Sequence, residues 1–504
     1  MSHTSSSDST GRPADNPANA PSGAGPILPD VAALVPARIA MPDGSMRRGA
    51  IAVGTEGEIE ELTAEEALER LAHEPVMTVH PGFTARRIAR GLEGKAGGRD
   101  ISGPGPGALD LLELFAFVHP AAPCLPTPGG LARALGLDAE EAPEAQALML
   151  HEAAARLLAR LQDPAYPGRP AALRTAWRMA EAGWAWGPGV LAALGDVAAR
   201  EGRPQPGRGF DVWNDLPEWE EGAPRGAPGA LPVSEAEARA RLAELVGPGA
   251  ETREEQADFA AEAAHAFAPR QTGGQPNIVI AEAGTGIGKT LGYIAPASLW
   301  AQRNKGTVWL STYTKNLQRQ LDQELSRLYP DRAEKAEKAV IRKGRENYLC
   351  LLNFAELADR AAAAGGRAII AIGLVARWAR ASRDGDMVGG DFPAWLAQRF
   401  SNPAGAGPGR GAQTLTDRRG ECVYTACPHF RKCFIERAIR KARRAEIVVA
   451  NHALVMRQAA LDQATALFAP QQPASHGRER EAGTAAGAED EMPSGREARS
   501  RFVF

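Results

Sequence analysis

The run Ile278-Val279-Ile280-Ala281-Glu282-Ala283-Gly284-Thr285-Gly286-Ile287-Gly288-Lys289-Thr290 constrains this chain more than any other stretch. Apolar, β-prone residues lead into glycines at alternating positions, then Gly-Lys-Thr, then a helical pattern. Small residues let backbone N–H groups converge on one concavity, and the following helix adds the positive end of its dipole. The pattern predicts strand, phosphate-binding loop and helix. Lys289 would reach the β- and γ-phosphates of a nucleotide, and the Thr290 hydroxyl would ligate Mg²⁺. Ala283 stands where the first glycine is usual. The candidate nucleotide site is therefore Ala283, Gly284, Thr285, Gly286, Ile287, Gly288, Lys289 and Thr290, with Lys289 and Thr290 as its catalytic members.

A chain of 504 residues has room for about two to four domains. Its net charge of −3 means that any nucleic-acid surface must be a local patch. No apolar run is long enough to span a membrane, and the Ser/Pro-rich start lacks the apolar core of a signal peptide. These features lead to the expectation of a cytoplasmic protein. Five cysteines do not make a disulfide scaffold, and four of them, Cys350, Cys422, Cys427 and Cys433, fall in one region, which suggests metal. Zinc favours close Cys-x₂₋₄-Cys pairs. One distant thiol plus spacings of four and five suits an iron–sulfur cluster better, with zinc as the competitor.

Composition and periodicity divide the chain. Residues 1–26 read as a disordered tail, and 27–165 as an α/β module with strands near 37–41, 50–53 and 76–79 and helices near 64–71, 108–117, 130–135 and 145–161. Residues 166–250 read as helices and a Pro/Gly linker. There Trp177, Trp184 and Trp186 suit a core better than base stacking, and Phe210, Trp213, Leu216 and Trp219 read as apolar anchors. Ser234-x-x-Glu237 begins a short capped helix. Residues 251–504 read as a motor domain with an insert at about 345–440, a Gly/Pro-rich loop near 402–411 and a disordered stretch at 469–500. Within it, 306–311 reads as a strand and 315–328 as a helix that Thr314 can cap. Arg431–Arg444 carries seven basic residues and one acidic one, the best candidate for a phosphate-tracking helix face, with Arg437, Arg440 and Lys441 outward.

Several strings fall in a familiar order. They are Arg253-x-x-Gln256, the loop ending Gly288-Lys289-Thr290, Leu310-Ser-Thr-Tyr-Thr314 with Leu317-Gln318, Lys343-Gly-Arg-x-Asn-Tyr-Leu-Cys350, and Val449-Ala-Asn451-His452. Together they resemble the XPD/DinG helicases of superfamily 2, strongly over about 250–460. The resemblance implies an α/β fold with a RecA-like P-loop motor domain, a helical iron–sulfur insert and a separate α/β module before it. It implies ATP-dependent unwinding of DNA, 5′→3′ along single strands, in repair or replication, by a monomer acting at duplex junctions. It assigns Gln256 to the adenine edge, Thr312, Thr314 and Gln318 to single-stranded DNA, and the four thiols to a 4Fe-4S cluster.

The N-terminal third is similar, more weakly, to proofreading-type 3′–5′ exonuclease domains. Asp110 matches, but Thr84 or Ala85 and Met149 or Leu150 stand where metal-binding aspartates belong, so the module reads either as a degenerate exonuclease-like domain or as an unrelated α/β module. Neither the family's Asp-Glu-x-His box nor its second motor domain occurs within residues 1–504. The sequence thus reads as the front part of such a helicase, binding nucleotide and DNA with negligible hydrolysis by itself. Two other readings remain: a non-catalytic module that binds nucleotide and single-stranded DNA, and an unrelated P-loop ATPase with a zinc insert.

Overall fold

A computed structural model describes residues 28–90, 92, 105, 107–195, 209–221, 228–249, 251, 253–269, 277–400, 412–417, 421–468 and 501–503. The expected tail at 1–26, the loop at 402–411 and the stretch at 469–500 lie outside the described residues. The chain divides into two units, one of residues 1–216 with 351–415, the other of 217–350 with 416–504. Both are α/β.

The first unit holds a sheet of β1 (Ala33–Ala40), β2 (Met46–Val53), β3 (Ile59–Thr63), β4 (Met77–Thr78) and β5 (Leu109–Asp110), in the order β3-β2-β1-β4-β5. β1, β2 and β3 are antiparallel neighbours, while β4 runs parallel to β1 and β5 parallel to β4. The helix expected from 108 begins at Leu111 instead, because Leu109 and Asp110 pair with Met77 and Thr78 before Asp110 caps it. β3 and the helix Pro81–Ala89 were not legible in the sequence. Helix Pro143–Gln162 buries Leu150, Ala154, Leu157 and Leu161 at helical spacing. Each such fully buried leucine stabilises the fold by roughly 1.5–3 kcal/mol. Trp184 and Trp186 are core residues, as their spacing suggested. The helices Leu351–Ala364 and Ala368–Ala381, foreseen within an insert of the motor domain, belong to this unit.

The second unit is built on β6 (Val308–Thr312), β7 (Ala339–Ile341), β8 (Ile447–Asn451) and β9 (Arg501–Val503), all parallel, in the order β7-β8-β6-β9. Alternate residues face opposite layers. Val308, Leu310, Ile447 and Val449 pack with Ile294, Trp300 and Leu325, while Trp309, Val448 and Ala450 pack with Val340, Ala442 and Val455. A parallel sheet covered on both faces explains the continuous apolar strings. Helix Lys315–Leu328 starts at its Thr314 cap as expected, and Ser234 with Glu237 forms the capping box of Glu235–Val246.

One expectation fails. Residues 277–281 form no strand, and Ile278 and Ile280 are 76% and 94% exposed. A β-prone run becomes a strand only when a neighbour satisfies its backbone groups. Here the outer strand β9 has three described residues and pairs with β6 alone.

Candidate nucleotide and nucleic-acid site

The glycine loop folds as its composition requires. Gly286 and Gly288 take φ of +87° and +84°, values in the left-handed region that glycine adopts without strain, and the helix Lys289–Asn304 starts directly after them. Two side chains from the preceding helical segment hold this loop from behind. Arg253 Nη1 donates to Gly286 O at 2.8 Å, and Gln256 Nε2 donates to Gly288 O at 2.8 Å. Gln256 is buried, so its amide braces the loop in addition to any contact with a base. A Cβ on Gly288 would lie 2.3 Å from Gln256 Nε2. The Lys289 ammonium folds over the loop, donating to Ala283 O at 2.7 Å and Gly284 O at 3.1 Å. Thr290 is half-buried at the helix start, hydrogen-bonded to Tyr293, while Thr285 is exposed and Ile287 half-buried.

At the carboxyl ends of β6 and β8 the chain gathers Ser311, Thr312, Tyr313, Asn451 and His452. The Ser311 hydroxyl hydrogen-bonds His452 Nδ1, and Tyr313 lies 6.1 Å from the His452 ring. Thr312 and Gln318 are buried, and Thr314 caps its helix by accepting from Leu317 N. The outward-facing group is Tyr313, 82% exposed, which the sequence reading passed over. An aromatic between two threonines at a strand end was the available signal. Asn451 Oδ1 caps the next helix by accepting from Leu454 N.

The basic helix Phe434–Arg444 differs from the expectation. Its apolar face is buried through Phe434, Ile435 and Ala442. Arg437 donates to Pro217 O, and Arg440 pairs with Glu436 at 2.6 Å and lies 3.4 Å over the Trp219 ring. Trp219 is anchored further by donating Nε1–H to Phe430 O at 2.7 Å. Two of the three expected phosphate contacts are thus held by a segment far away in sequence, whereas Lys441 is exposed.

All four clustered cysteines are half-buried and outside disulfides. Cys422 Sγ accepts from Arg345 Nη2 at 2.8 Å and from Tyr424 N at 3.4 Å. Cys433 precedes the Phe434–Arg444 helix, and its sulfur receives the Glu436 and Ile435 amides, although burial pushes the thiol up. A β-bridge between Leu349 and Thr416 brings the chain on either side of Cys350 and Cys422 together. Thiols with N–H donors suit an iron–sulfur group. Among the described residues, however, no three His, Cys, Asp or Glu are gathered closely enough to hold one ion.

In the first unit, Thr84, Ala85, Met149 and Leu150 are all buried packing residues. Asp110 is buried too. It accepts from the His80 and Leu112 amides at 3.0 Å and pairs with Arg399 at 2.7 Å. Arg399 also reaches Glu113 at 3.0 Å, which accepts from Trp184 Nε1 at 3.0 Å. The two carboxyl groups thus share one guanidinium, that of Arg399. Among the described residues no helix is long and apolar enough to cross a membrane.

Comparison with known proteins gives a consistent direction. The chain is 34% identical to the ATP-dependent DNA helicase YoaA of Escherichia coli K12 over 222 residues, 42% of this chain and 29% of that protein. It is 33% identical to the ATP-dependent helicase DinG of Mycobacterium tuberculosis H37Rv over 228 residues, 41% of this chain and 31% of that protein. It is 30% identical to the 3′-5′ exonuclease DinG of Bacillus subtilis over 221 residues, 43% of this chain and 21% of that protein. The matching segment spans less than a third of each relative. No family model matches the chain.

Proposed function

We propose that this chain carries the nucleotide- and DNA-binding part of an ATP-dependent DNA helicase of the DinG type. The observation that supports it best is the glycine loop. Gly286 and Gly288 are in left-handed conformations, Lys289 and Thr290 open a helix, and Arg253 and Gln256 brace the loop from behind. Similarity to relatives named as ATP-dependent helicases points the same way.

In this reading the second unit is a RecA-like motor domain. The loop amides and Lys289 hold the β- and γ-phosphates, and Thr290 holds Mg²⁺. Lys289 exchanges its contacts with Ala283 O and Gly284 O for phosphate oxygens. The carboxyl ends of β6 and β8 receive single-stranded DNA, as open α/β sheets bind ligands at that edge. Tyr313 stacks on a base, Lys441 meets a phosphate, and the buried Thr312 and Gln318, with Thr314 capping the helix, shape the edge. Arg437 and Arg440 serve by fixing the basic helix. Cys350, Cys422, Cys427 and Cys433 would hold a 4Fe-4S cluster, and as its ligands they would tie the distant segments around them together. Residues 27–165 form an exonuclease-like module without its metal-binding carboxylates. Translocation is 5′→3′, in DNA repair or replication, in the cytoplasm, by a monomer.

The test is the anisotropy of a fluorescent single strand titrated with the chain, with and without Mg·ATP. The reading expects ATP to change DNA affinity severalfold in the wild type and not in Lys289→Ala. DNA affinity indifferent to ATP in both would instead make the chain a plain single-strand-binding module.

A further inference from the structure

In the first unit, β1 and β2 are registered so that Arg38 stands directly opposite Arg48. Residues opposite each other across an antiparallel pair share a face, and like charges placed so destabilise the sheet. Nothing in the hairpin relieves this pair. Among the described residues neither guanidinium makes an ion pair; Arg38 donates only to Met46 O at 3.0 Å. Both border an open cleft of about 790 Å³, which also receives Arg47, Arg87 and Arg90. Arg47 is paired with Asp43 at 2.7 Å, whereas Arg87 and Arg90 are exposed and form no ion pair among the described residues. Among the described residues the one carboxylate lining the cleft is Glu141. Arg87 and Arg90 sit at the end of helix Pro81–Ala89, where a cation suits the dipole. That explains those two, but not the opposed pair on the strands.

Four guanidinium groups outside ion pairs, converging on one concavity from β1, β2 and the end of the Pro81–Ala89 helix, fit an anion with several charges. Among the described residues no aromatic side chain lines the cleft, so they give it no platform for a base. Its volume of about 790 Å³ exceeds what a single phosphate fills. We infer that this cleft holds the phosphodiester backbone of a single nucleic-acid strand, without sequence preference and without cutting it. The inference stands on the first unit alone and does not need the motor reading.

The full chain is titrated into a fluorescein-labelled oligothymidylate across a salt series. The Arg48→Glu/Arg87→Glu double variant is expected to bind at least about tenfold more weakly at low salt. Its slope of log affinity against log salt should fall by about 1.4, near 0.7 for each lost contact on a single strand. Arg133→Glu, exposed in the same unit but outside the cleft, should change neither. The double variant should lose the same amount in a Tyr313→Ala background, which separates this site from the one proposed on the second unit. If charge reversal perturbs circular dichroism, Arg48→Gln replaces it, with half the slope change expected. Unchanged affinity and slope in a folded variant overturn the inference. Displacement of the strand by inorganic phosphate at equal phosphate concentration overturns it as well, since it would show a site for free anions.

Discussion

Gln256 Nε2 donates to the carbonyl oxygen of Gly288 at 2.8 Å, joining a helix side chain to the last residue of the phosphate loop. The contact fixes where the first turn of the Lys289–Asn304 helix presents its amides. It also leaves no room for a side chain at position 288, since a Cβ there falls 2.3 Å from the amide nitrogen. Gly288→Ala meets this clash and a left-handed backbone, which costs a non-glycine residue about 1–2 kcal/mol. Affinity for a fluorescent ATP analogue should fall by roughly tenfold or more. Gln256→Ala, losing one hydrogen bond worth about 1 kcal/mol, should cost roughly fivefold. Equal affinity in all three proteins would separate the bracing contact from nucleotide binding.

Arg440 and Lys441 are neighbours with different fates. Arg440→Ala removes a cation–π contact with Trp219 and an ion pair with Glu436, so it should lower stability by about 1–2 kcal/mol in denaturant unfolding. Single-strand affinity measured on the folded variant should stay close to wild type. Lys441→Ala should give weaker, less salt-dependent binding. A large affinity loss for folded Arg440→Ala would restore it as a phosphate contact.

Burial, then the neighbouring Asp110, raises the Glu113 carboxyl to about 7, against the opposing influence of Arg399 and the Trp184 N–H. Between its ordinary value of 4.5 and about 7 the folded chain binds more protons here than the unfolded chain. The contribution of Glu113 to stability is therefore fullest below 4.5 and is lost as pH rises through about 7. Glu113→Gln removes this titration while keeping an acceptor for Trp184. Its melting temperature relative to wild type should climb between about pH 5 and pH 8. A relative melting temperature that falls over that range contradicts the assignment.

Anaerobically purified chain should contain about four irons with acid-labile sulfide and broad visible absorption. Cys427→Ser should lower all three together. Stoichiometric zinc without iron would replace the cluster by a zinc site.

The sequence carried the local features well, because they depend on neighbours in the chain. Thr314 caps 315–328, Ser234 and Glu237 close their capping box, and the alternating glycines take the φ values a phosphate loop needs. What depends on distant segments was hidden. The Ile278–Ile280 run has β propensity, but pairing with a neighbour decides whether it becomes a strand. Arg437 and Arg440 look outward on a helical wheel, yet Pro217 and Trp219 reach them across the fold. The opposition of Arg38 and Arg48 exists only once the hairpin register is known.

The central claim is that the loop around Lys289 binds nucleotide phosphates, and equilibrium titration of the chain with a fluorescent ATP analogue in Mg²⁺ tests it most directly. Saturable binding in the wild type, displaced by unlabelled ATP and weakened at least about a hundredfold in a folded Lys289→Ala variant, is the predicted result. Binding that is absent in the wild type, or equal in the two proteins, would contradict it.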